Sequence, residues 1–189
     1  MNELDETNKK KFTIIVAFNE KNRGIGKKGK LVWNLKEDMV FFKNITKCTK
    51  NPDKMNAVIM GRNTFESMKR NPLTDRINIC ITSQNIFNEN KNLDFGKNIK
   101  YMKSLNDAIE YLSNINNIEK IFVIGGEQLY REAIYNENCF EIYANIIKNR
   151  SDEEEYDTFF PKIDLDRFIL QNEFELSKNV ICQRYQKIL

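Results

Sequence analysis

The sequence has 189 residues, 41% of them apolar, and a formal net charge of +3. This length and apolar fraction suit one globular domain with a sizeable core better than two small domains. So small a charge gives no argument for a nucleic-acid partner, and no apolar run approaches the ~20 residues that a membrane span requires.

Two residue counts narrow the chemistry and the compartment. The chain has no histidine, which excludes a Ser-His or Cys-His nucleophile pair and any His-ligated metal site. Acid–base chemistry is left to carboxyl groups, Tyr, Lys or water. The four cysteines show no paired spacing and no signal peptide is visible, so we expect reduced thiols in a cytoplasmic protein.

The chain begins with polar and charged residues 1–11, where we expect a disordered tail ahead of a single domain over residues 12–189. A nearly continuous apolar run, Phe12–Phe18, then predicts a strand buried on both faces. The segment Asn22–Thr46 follows, and its glycines predict a loop that adopts positive φ or approaches a ligand closely.

The second half of this segment predicts an amphipathic helix with one acid on its apolar face. A buried carboxylate needs a partner or a raised pKa, so Asp38 is a candidate functional group. The alternative is that Asp38 caps the helix or pairs with a nearby Lys. The residues that share the face are Leu35, Asp38, Met39, Phe42, Ile45 and Thr46.

Strand and helix patterns alternate through the rest of the chain. Further strands are predicted at Ala57–Met60, Ile77–Thr82, Ile99–Met102, Ile121–Ile124 and Phe140–Ile147. Helices are predicted at Asn63–Lys69 with Asn63 or Thr64 as cap, at Leu105–Ile115 with Ser104 as cap, and at Glu127–Ile134. The acidic residues 151–161 are interpreted as a solvated turn rather than a metal site, since no second cluster or His accompanies them.

The last two predicted strands, Arg167–Glu175 and Val180–Lys187, alternate polar and apolar residues, which favours a closing hairpin. The fold class is therefore α/β: a single domain with a mostly parallel central sheet, an antiparallel C-terminal edge hairpin and flanking helices.

Two glycine-containing turns are candidate nucleotide sites. Gly61 to Thr64 put backbone N–H groups at a helix N-terminus, where phosphates bind, and Arg62 can add a bidentate contact to the extra phosphate of NADP. The alternative is a capped helix beside a solvated Arg. Gly125 and Gly126 also precede a helix but lack GxGxxG spacing, so alone they indicate little.

Together these stretches resemble dihydrofolate reductase over roughly residues 12–187. The resemblance rests on Gly-Ile-Gly, Leu-x-Trp, Asp five residues after that Trp, then Phe and Thr at steps of four, and on GRNTFES and IGGEQLY in matching order and spacing. It implies NADPH-dependent reduction of dihydrofolate to tetrahydrofolate for one-carbon metabolism. It also implies a monomer that antifolates inhibit, with no metal, no membrane and no nucleic-acid partner.

The resemblance assigns roles to individual residues. Asp38, with Trp33 and Leu31, forms the catalytic group: Asp38 orients and polarises the pterin while a water delivers the proton. Arg76 clamps the α-carboxylate of the glutamate tail, the alternative being a surface Arg in a loop. The implied substrate contacts are Val16, Ala17, Asp38, Met39, Phe42, Thr46, Met68, Leu73, Arg76, Ile124, Tyr130 and Asn145.

The implied cofactor contacts follow the two glycine turns, and the Gly125–Gly126 peptide bond is expected to be cis. These contacts are Ala17, Ile25, Gly26, Gly61, Arg62, Asn63, Thr64, Thr82, Ser83, Gln84, Ile124, Gly125, Gly126, Glu127, Gln128, Leu129 and Tyr130.

The sequence departs from the family pattern at several positions and leaves rival functions open. Val32 replaces a common Pro, Phe65 a Trp, Asp75 a Gly, and Asn145 a Thr that often bridges the carboxylate or the pterin. One rival is a reductase for a pyrimidine or another pterin, and a second is a non-enzymatic nucleotide-binding relative. The sequence, which ends at Leu189, contains no thymidylate synthase part. A longer native chain that carries one remains an open alternative.

Overall fold

The computed structural model describes residues 9–83, 99–148 and 155–188, which contain ten strands and four helices. The first half comprises β1 Phe12–Asn19, β2 Gly24–Gly26, α1 Lys36–Lys47, β3 Met55–Gly61, α2 Arg62–Ser67, β4 Arg76–Ile81 and β5 Ile99–Met102. The second half comprises α3 Leu105–Ser113, β6 Ile118–Val123, α4 Glu127–Ala133, β7 Cys139–Ile147, β8 Thr158–Phe159, β9 Phe168–Ser177 and β10 Val180–Lys187.

Eight strands form one sheet in the order β5-β4-β3-β6-β1-β7-β10-β9. The first six are parallel to one another, because helices or long connections carry the chain back between them. β10 pairs antiparallel with both β7 and β9, which makes the C-terminal hairpin the edge of the sheet. This arrangement confirms the predicted fold class.

Strand alternation divides the core between the two faces of the sheet. In β3, Ala57 and Ile59 pack with the apolar residues of α3 and α4, whereas Val58 and Met60 pack with those of α1 and α2. The strands are therefore apolar on both sides, as the continuous runs in the sequence predicted. We call the two surfaces the α1/α2 face and the α3/α4 face.

The predicted elements are found with shifted ends and one wrong cap. Ser104 caps α3, since its side chain accepts a hydrogen bond of 3.1 Å from the Asp107 N–H. The prediction that Asn63 or Thr64 caps α2 is wrong: the helix starts at Arg62, Gly61 is the N-cap, and no side chain bonds to the cap.

The two-stranded sheet of β2 and β8 was not predicted. Gly24 pairs with Phe159 and Gly26 with Thr158, so the glycine loop is hydrogen-bonded to the end of the acidic segment. Neither Gly24 nor Gly26 has positive φ, but Gly29 in the same segment has φ +72°, as the sequence predicted for this loop. Gly24 serves close approach instead, because a Cβ there would lie 2.2 Å from the Tyr156 ring.

The predicted tail lies only partly within the described residues, and the division into tail and domain stays a prediction. Lys10 belongs to the predicted tail and is held by the end of α3 and the loop after it. Its backbone N–H donates to Ser113 Oγ at 2.8 Å, and its Nζ donates to the Ile115 carbonyl at 2.8 Å. All four cysteines are free thiols, and only Cys48 is exposed. None of the helices within these residues is long and apolar enough to cross a membrane.

Candidate active site

Asp38 lies in the first turn of α1 and is only 6% exposed. Helix geometry turns it inward toward the sheet, while the N-terminal end of the helix dipole favours its negative charge. Its Oδ1 accepts a hydrogen bond of 2.8 Å from Asn145 Nδ2 on β7. The contact between Asp38 and Asn145, the residue that replaces the family's common Thr, is therefore present.

Burial raises the pKa of the Asp38 carboxyl above its ordinary value, and the hydrogen bond from Asn145 partly opposes that rise. The indole N–H of Trp33 is close enough to lower the same pKa, but by geometry its Nε1 has no hydrogen-bond acceptor within the described part of the chain. Among these residues Asn145 is therefore the one direct side-chain donor to Asp38. The Trp33 side chain itself is 6% exposed and packs against Ile147 and Val180.

Tyr130 connects this acid to the glycine pair. Its hydroxyl donates a hydrogen bond of 2.9 Å to the carbonyl of Ile15, and a Cβ on Gly125 would lie 2.8 Å from its ring. Burial, together with the negative charge of Asp38, raises the pKa of Tyr130, so the phenol stays protonated. Tyr130 is thus close enough to Asp38 for that charge to affect its pKa, and it acts as a neutral donor to the backbone.

Arg76 is buried at the start of β4, with 4% of its surface exposed. Its Nη1 donates to Thr46 Oγ1 at 2.7 Å, and its Nε donates to the Thr74 carbonyl at 3.0 Å. Thr46 in turn donates to the Phe42 carbonyl within α1 at 2.7 Å. Across residues 9–83, 99–148 and 155–188 no carboxylate pairs with Arg76, so its buried charge is available to an anionic ligand.

The turn before Arg76 also departs from the family pattern in a visible way. Asp75 adopts φ +59°, the left-handed conformation that a Gly takes most readily. Its carboxylate pairs with Lys47 Nζ at 2.8 Å, at the C-terminal end of α1. That contact lowers the pKa of Asp75 and joins the turn to the helix.

Most of the predicted apolar wall is assembled on the α1/α2 face. Phe42, Met68, Leu73 and Ile124 belong to one apolar cluster. Val16 is not brought to them, because its side chain packs on the α3/α4 face. The neighbouring β1 residue on the α1/α2 side is Ile15, which sequence reasoning missed although strand alternation with Ala17 could have identified it. Met39, a predicted substrate contact, and Leu31, predicted as part of the catalytic group, are 51% and 54% exposed at the surface.

The two glycine turns meet at the carboxyl ends of β3 and β6, the edge where open α/β sheets bind ligands. The Gly61 N–H donates to the Gly125 carbonyl at 2.7 Å, and a Cβ on Gly126 would lie 3.2 Å from Thr64 Oγ1. The Gly125–Gly126 peptide bond is cis, which confirms the expectation from the sequence. Gly125 leaves no room for a side chain, since a Cβ there would lie 2.8 Å from the Tyr130 ring, and the two turns together form a backbone cradle suited to a nucleotide.

Arg62 begins α2 and is engaged by an acid of the same helix. Its Nε lies 2.8 Å from Glu66 Oε1, which also receives Arg70 Nη2 at 3.1 Å. These two arginines hold the pKa of Glu66 below its ordinary value. Arg70 is a basic neighbour of the predicted phosphate site that sequence reasoning missed, although its i+4 spacing from Glu66 is visible in the sequence.

The remaining predicted cofactor residues are distributed around this edge. Glu127 has its carboxylate occupied: Oε1 bonds Arg131 Nη2 at 2.6 Å and Oε2 accepts from the Phe159 N–H at 3.1 Å, which ties α4 to β8. Gln84 lies outside the described residues. Thr82, Ile25 and Leu129 are buried, whereas Ser83, Asn63 and Gln128 are exposed.

The described end of the acidic segment holds the glycine loop in place. The Asp157 N–H donates to the Gly26 carbonyl at 3.0 Å, and Asp157 Oδ2 accepts from the Lys28 N–H at 2.7 Å. Lys27 forms an ion pair with Glu155. Within the described ranges, no three His, Cys, Asp or Glu side chains lie together in a group that could hold a metal ion.

Comparison with known proteins identifies a family over nearly the whole chain. The sequence model described as dihydrofolate reductase matches residues 11–186. A dihydrofolate reductase of Heliothis virescens is 40% identical over 168 residues, covering 88% of this chain and 87% of that protein. A dihydrofolate reductase of Candida albicans is 38% identical over 175 residues, covering 91% of this chain and 86% of that protein.

A longer protein also matches. The bifunctional dihydrofolate reductase-thymidylate synthase of Daucus carota is 39% identical over 158 residues, which is 81% of this chain but only 28% of the carrot protein.

Proposed function

Because this chain belongs to the dihydrofolate reductase family, we propose that it reduces dihydrofolate to tetrahydrofolate with NADPH as the hydride donor. The observation that carries the proposal is a pair of buried opposite charges, Asp38 and Arg76, at the two ends of α1. Thr46, the partner of Arg76, follows Asp38 by eight residues, which corresponds to roughly 12 Å along a helix. An elongated ligand with N–H groups at one end and a carboxylate at the other fits that spacing.

Asp38 is suited to the pterin end of the substrate. A carboxylate can accept one N–H bond on each oxygen, and the pterin offers its 2-amino group and an adjacent ring N–H on one edge. Desolvation strengthens such bonds, since water no longer competes for them. We assign Asp38 to orienting and polarising the pterin, with Trp33 beside it and Phe42 and Ile124 as apolar walls.

Arg76 is suited to the glutamate end. Its guanidinium is planar and permanently charged, so it can hold the α-carboxylate through two parallel hydrogen bonds. Thr46 and the Thr74 carbonyl fix the orientation of the side chain by occupying other N–H groups. This arrangement favours folate over an untailed pterin or pyrimidine, the first rival function.

The cradle of Gly61, Thr64, Gly125 and Gly126 fits a dinucleotide, because its three glycines carry no side chain that would hold a phosphate away and α2 and α4 begin there. NADPH supplies the hydride, and the chain supplies alignment and electrostatics. We further propose that Arg62 faces the 2′-phosphate, since a phosphate can compete with Glu66 for its guanidinium. We further propose a monomer in the cytoplasm, and the four free thiols accord with that compartment.

A steady-state assay tests the function against both rivals. Purified protein is mixed with NADPH and either dihydrofolate or an untailed dihydropterin, and the loss of the NADPH absorbance band is followed. We expect rapid oxidation with dihydrofolate and a much higher KM with the untailed compound. Equal KM values would favour the general pterin reductase, and NADPH binding without turnover would favour the non-enzymatic relative.

A further inference from the structure

We propose that Glu66 weakens the preference of this chain for NADPH, because its carboxylate accepts a hydrogen bond from the ribose 2′-hydroxyl of NADH and repels the 2′-phosphate of NADPH. NADH then serves as a second hydride donor. This role rests on the proposed function for one point, the position of the cofactor's 2′ group beside Arg62. The starting observation is that Arg62 Nε already donates to Glu66 Oε1, at 2.8 Å.

Glu66 lies between two guanidinium groups. Its Oε1 accepts from Arg62 Nε and also from Arg70 Nη2, the second at 3.1 Å. Its Oε2 receives no hydrogen bond from the residues that the structure describes, and the Glu66 side chain is 36% exposed. A ligand group beside Arg62 therefore meets an accessible carboxylate oxygen as well as positive charge.

The backbone after α2 brings Arg70 back to this acid. Lys69 and Arg70 both adopt the left-handed conformation, with φ +56° and +55°, which residues other than glycine rarely take. The Lys69 N–H donates to the Glu66 carbonyl at 2.9 Å, and the Arg70 N–H donates to the Phe65 carbonyl at 3.1 Å. The carboxylate and its two arginines are thus held together by the turn of the chain as well as by their charges.

Proteins distinguish the two cofactors at the ribose 2′ position. A carboxylate that accepts from the 2′-hydroxyl favours NADH, whereas an arginine that binds the 2′-phosphate favours NADPH. The cluster of Arg62, Glu66 and Arg70 contains both kinds of group. The arginines hold the pKa of Glu66 below its ordinary value, so at neutral pH the carboxylate is an acceptor for a hydroxyl and a like charge to a phosphate.

A purely structural role for Glu66 predicts the opposite effect on NADPH. If the carboxylate only held Arg62 and Arg70 in place for the phosphate, its removal would weaken NADPH binding and leave NADH binding unchanged. If it reads the 2′ group, its removal strengthens NADPH binding and weakens NADH binding. The nicotinamide is the same in both cofactors, so the hydride transfer itself is not altered.

The test measures the dissociation constants of NADPH and NADH by titration calorimetry, without dihydrofolate, so that no turnover takes place. Glu66→Gln removes the charge at similar size, and Glu66→Ala also removes the acceptor. Glu110→Gln, at an exposed position of α3, is the control for the loss of one negative charge. Turnover of dihydrofolate with each cofactor is then measured on the same proteins.

We expect the ratio of the NADH to the NADPH dissociation constant to rise by roughly tenfold in Glu66→Gln and by more in Glu66→Ala, since a charged acceptor and a repulsion are lost together. Glu110→Gln should match wild type, and wild type should oxidise NADH with a lower kcat/KM than NADPH.

Weaker NADPH binding in Glu66→Gln, an unchanged ratio in both Glu66 variants, or an equal change in Glu110→Gln would overturn the proposal. So would a wild type that reduces dihydrofolate with NADPH but not at all with NADH. A wild type that binds both cofactors with the predicted ratios and reduces no dihydrofolate would instead refute the proposed function alone.

Discussion

At the scale of single residues, Asp38 meets opposite demands from folding and from ligand binding. The ionised carboxylate is the form that can accept two N–H bonds, yet burial disfavours that form and raises the pKa. The fold offers it the Asn145 amide and the N-terminal end of α1, and no Arg or Lys is paired with it among the described residues. Asp38 is thus placed for a ligand at some cost to stability.

The first prediction follows from the sign of this pKa shift. A carboxyl whose pKa is higher in the folded state than in the unfolded chain favours folding when protonated and disfavours it as pH rises through the folded-state pKa. Asp38→Asn should therefore raise the free energy of unfolding at neutral pH by roughly 0.5–2 kcal/mol. The difference should shrink below the ordinary Asp pKa of about 3.9.

Denaturant unfolding at neutral and acid pH checks this, with Asp53→Asn at an exposed position as the control for removing one negative charge. A less stable Asp38→Asn variant at neutral pH would show that the carboxylate supports the fold rather than opposing it.

The second prediction concerns Arg76. Arg76→Gln should raise KM for dihydrofolate by roughly 10–100-fold with little change in kcat, because a charge-assisted bond to a non-reacting part of the substrate is lost. The untailed dihydropterin, which has no carboxylate, should show the same KM with both proteins. A thermal melt separates binding from folding, since the variant also loses a donor to Thr46. Equal losses for both substrates would remove Arg76 from the tail site.

At the scale of elements, the small sheet of β2 and β8 joins three regions that are distant in sequence. The glycine loop pairs with β8, the Phe159 N–H donates to Glu127 of α4, and the Tyr156 ring lies 6.4 Å from the Trp33 ring. The loop that precedes Asp38 is therefore held by the same residues that hold the start of α4. Its position should affect the catalytic step as well as binding.

The third prediction tests this coupling at its tightest contact. Gly24→Ala places a Cβ 2.2 Å from the Tyr156 ring, so the ring or the loop must move. We expect a loss of roughly 1–3 kcal/mol in stability, together with lower kcat. Gly24→Ala combined with Tyr156→Ala should recover part of the Gly24→Ala loss, because the clash is removed. Strictly additive effects in unfolding and turnover would contradict the contact.

The elements that the sequence predicted best are those whose pattern is long. β1, β3 and β7 are long and mostly apolar, and α3 has both a regular apolar face and a Ser cap, so their existence was clear from the residues. β2 and β8 contain three and two residues, too few for any alternation to appear. Their pairing depends on tertiary contacts, such as Gly24 with Tyr156, that spacing along the chain does not encode.

At the scale of the whole molecule, the two faces of the sheet differ in what they carry. The α3/α4 face is closed by apolar residues, whereas the α1/α2 face carries Asp38, Asn145 and Arg76 in addition to its apolar cluster. The family resemblance implied that these residues belong to one site. It wrongly placed Val16 there, because the face that each β1 side chain occupies is fixed by the pairing of β1 with β6 and β7.

The fourth prediction uses global stability to report cofactor choice. A ligand that binds only the folded protein stabilises it by RT ln(1 + [L]/Kd), about 2.7 kcal/mol at a hundredfold excess over Kd. NADPH should therefore raise the melting temperature more than NADH at equal concentration. In Arg62→Gln the two shifts should converge, since the preference for the 2′-phosphate is reduced. If Arg62→Gln still prefers NADPH over NADH, other groups must bind the 2′-phosphate. Arg70, which pairs with the same Glu66, is then the next candidate.

The central claim is that a buried carboxylate in a protein without histidine orients the pterin for hydride transfer. Its most direct test is the turnover of dihydrofolate by Asp38→Asn at neutral pH, under saturating NADPH, with folding confirmed by the denaturant unfolding described above. We expect kcat to fall by roughly 10²–10⁴, the range for lost acid–base assistance. Turnover near that of wild type across neutral pH would contradict the claim.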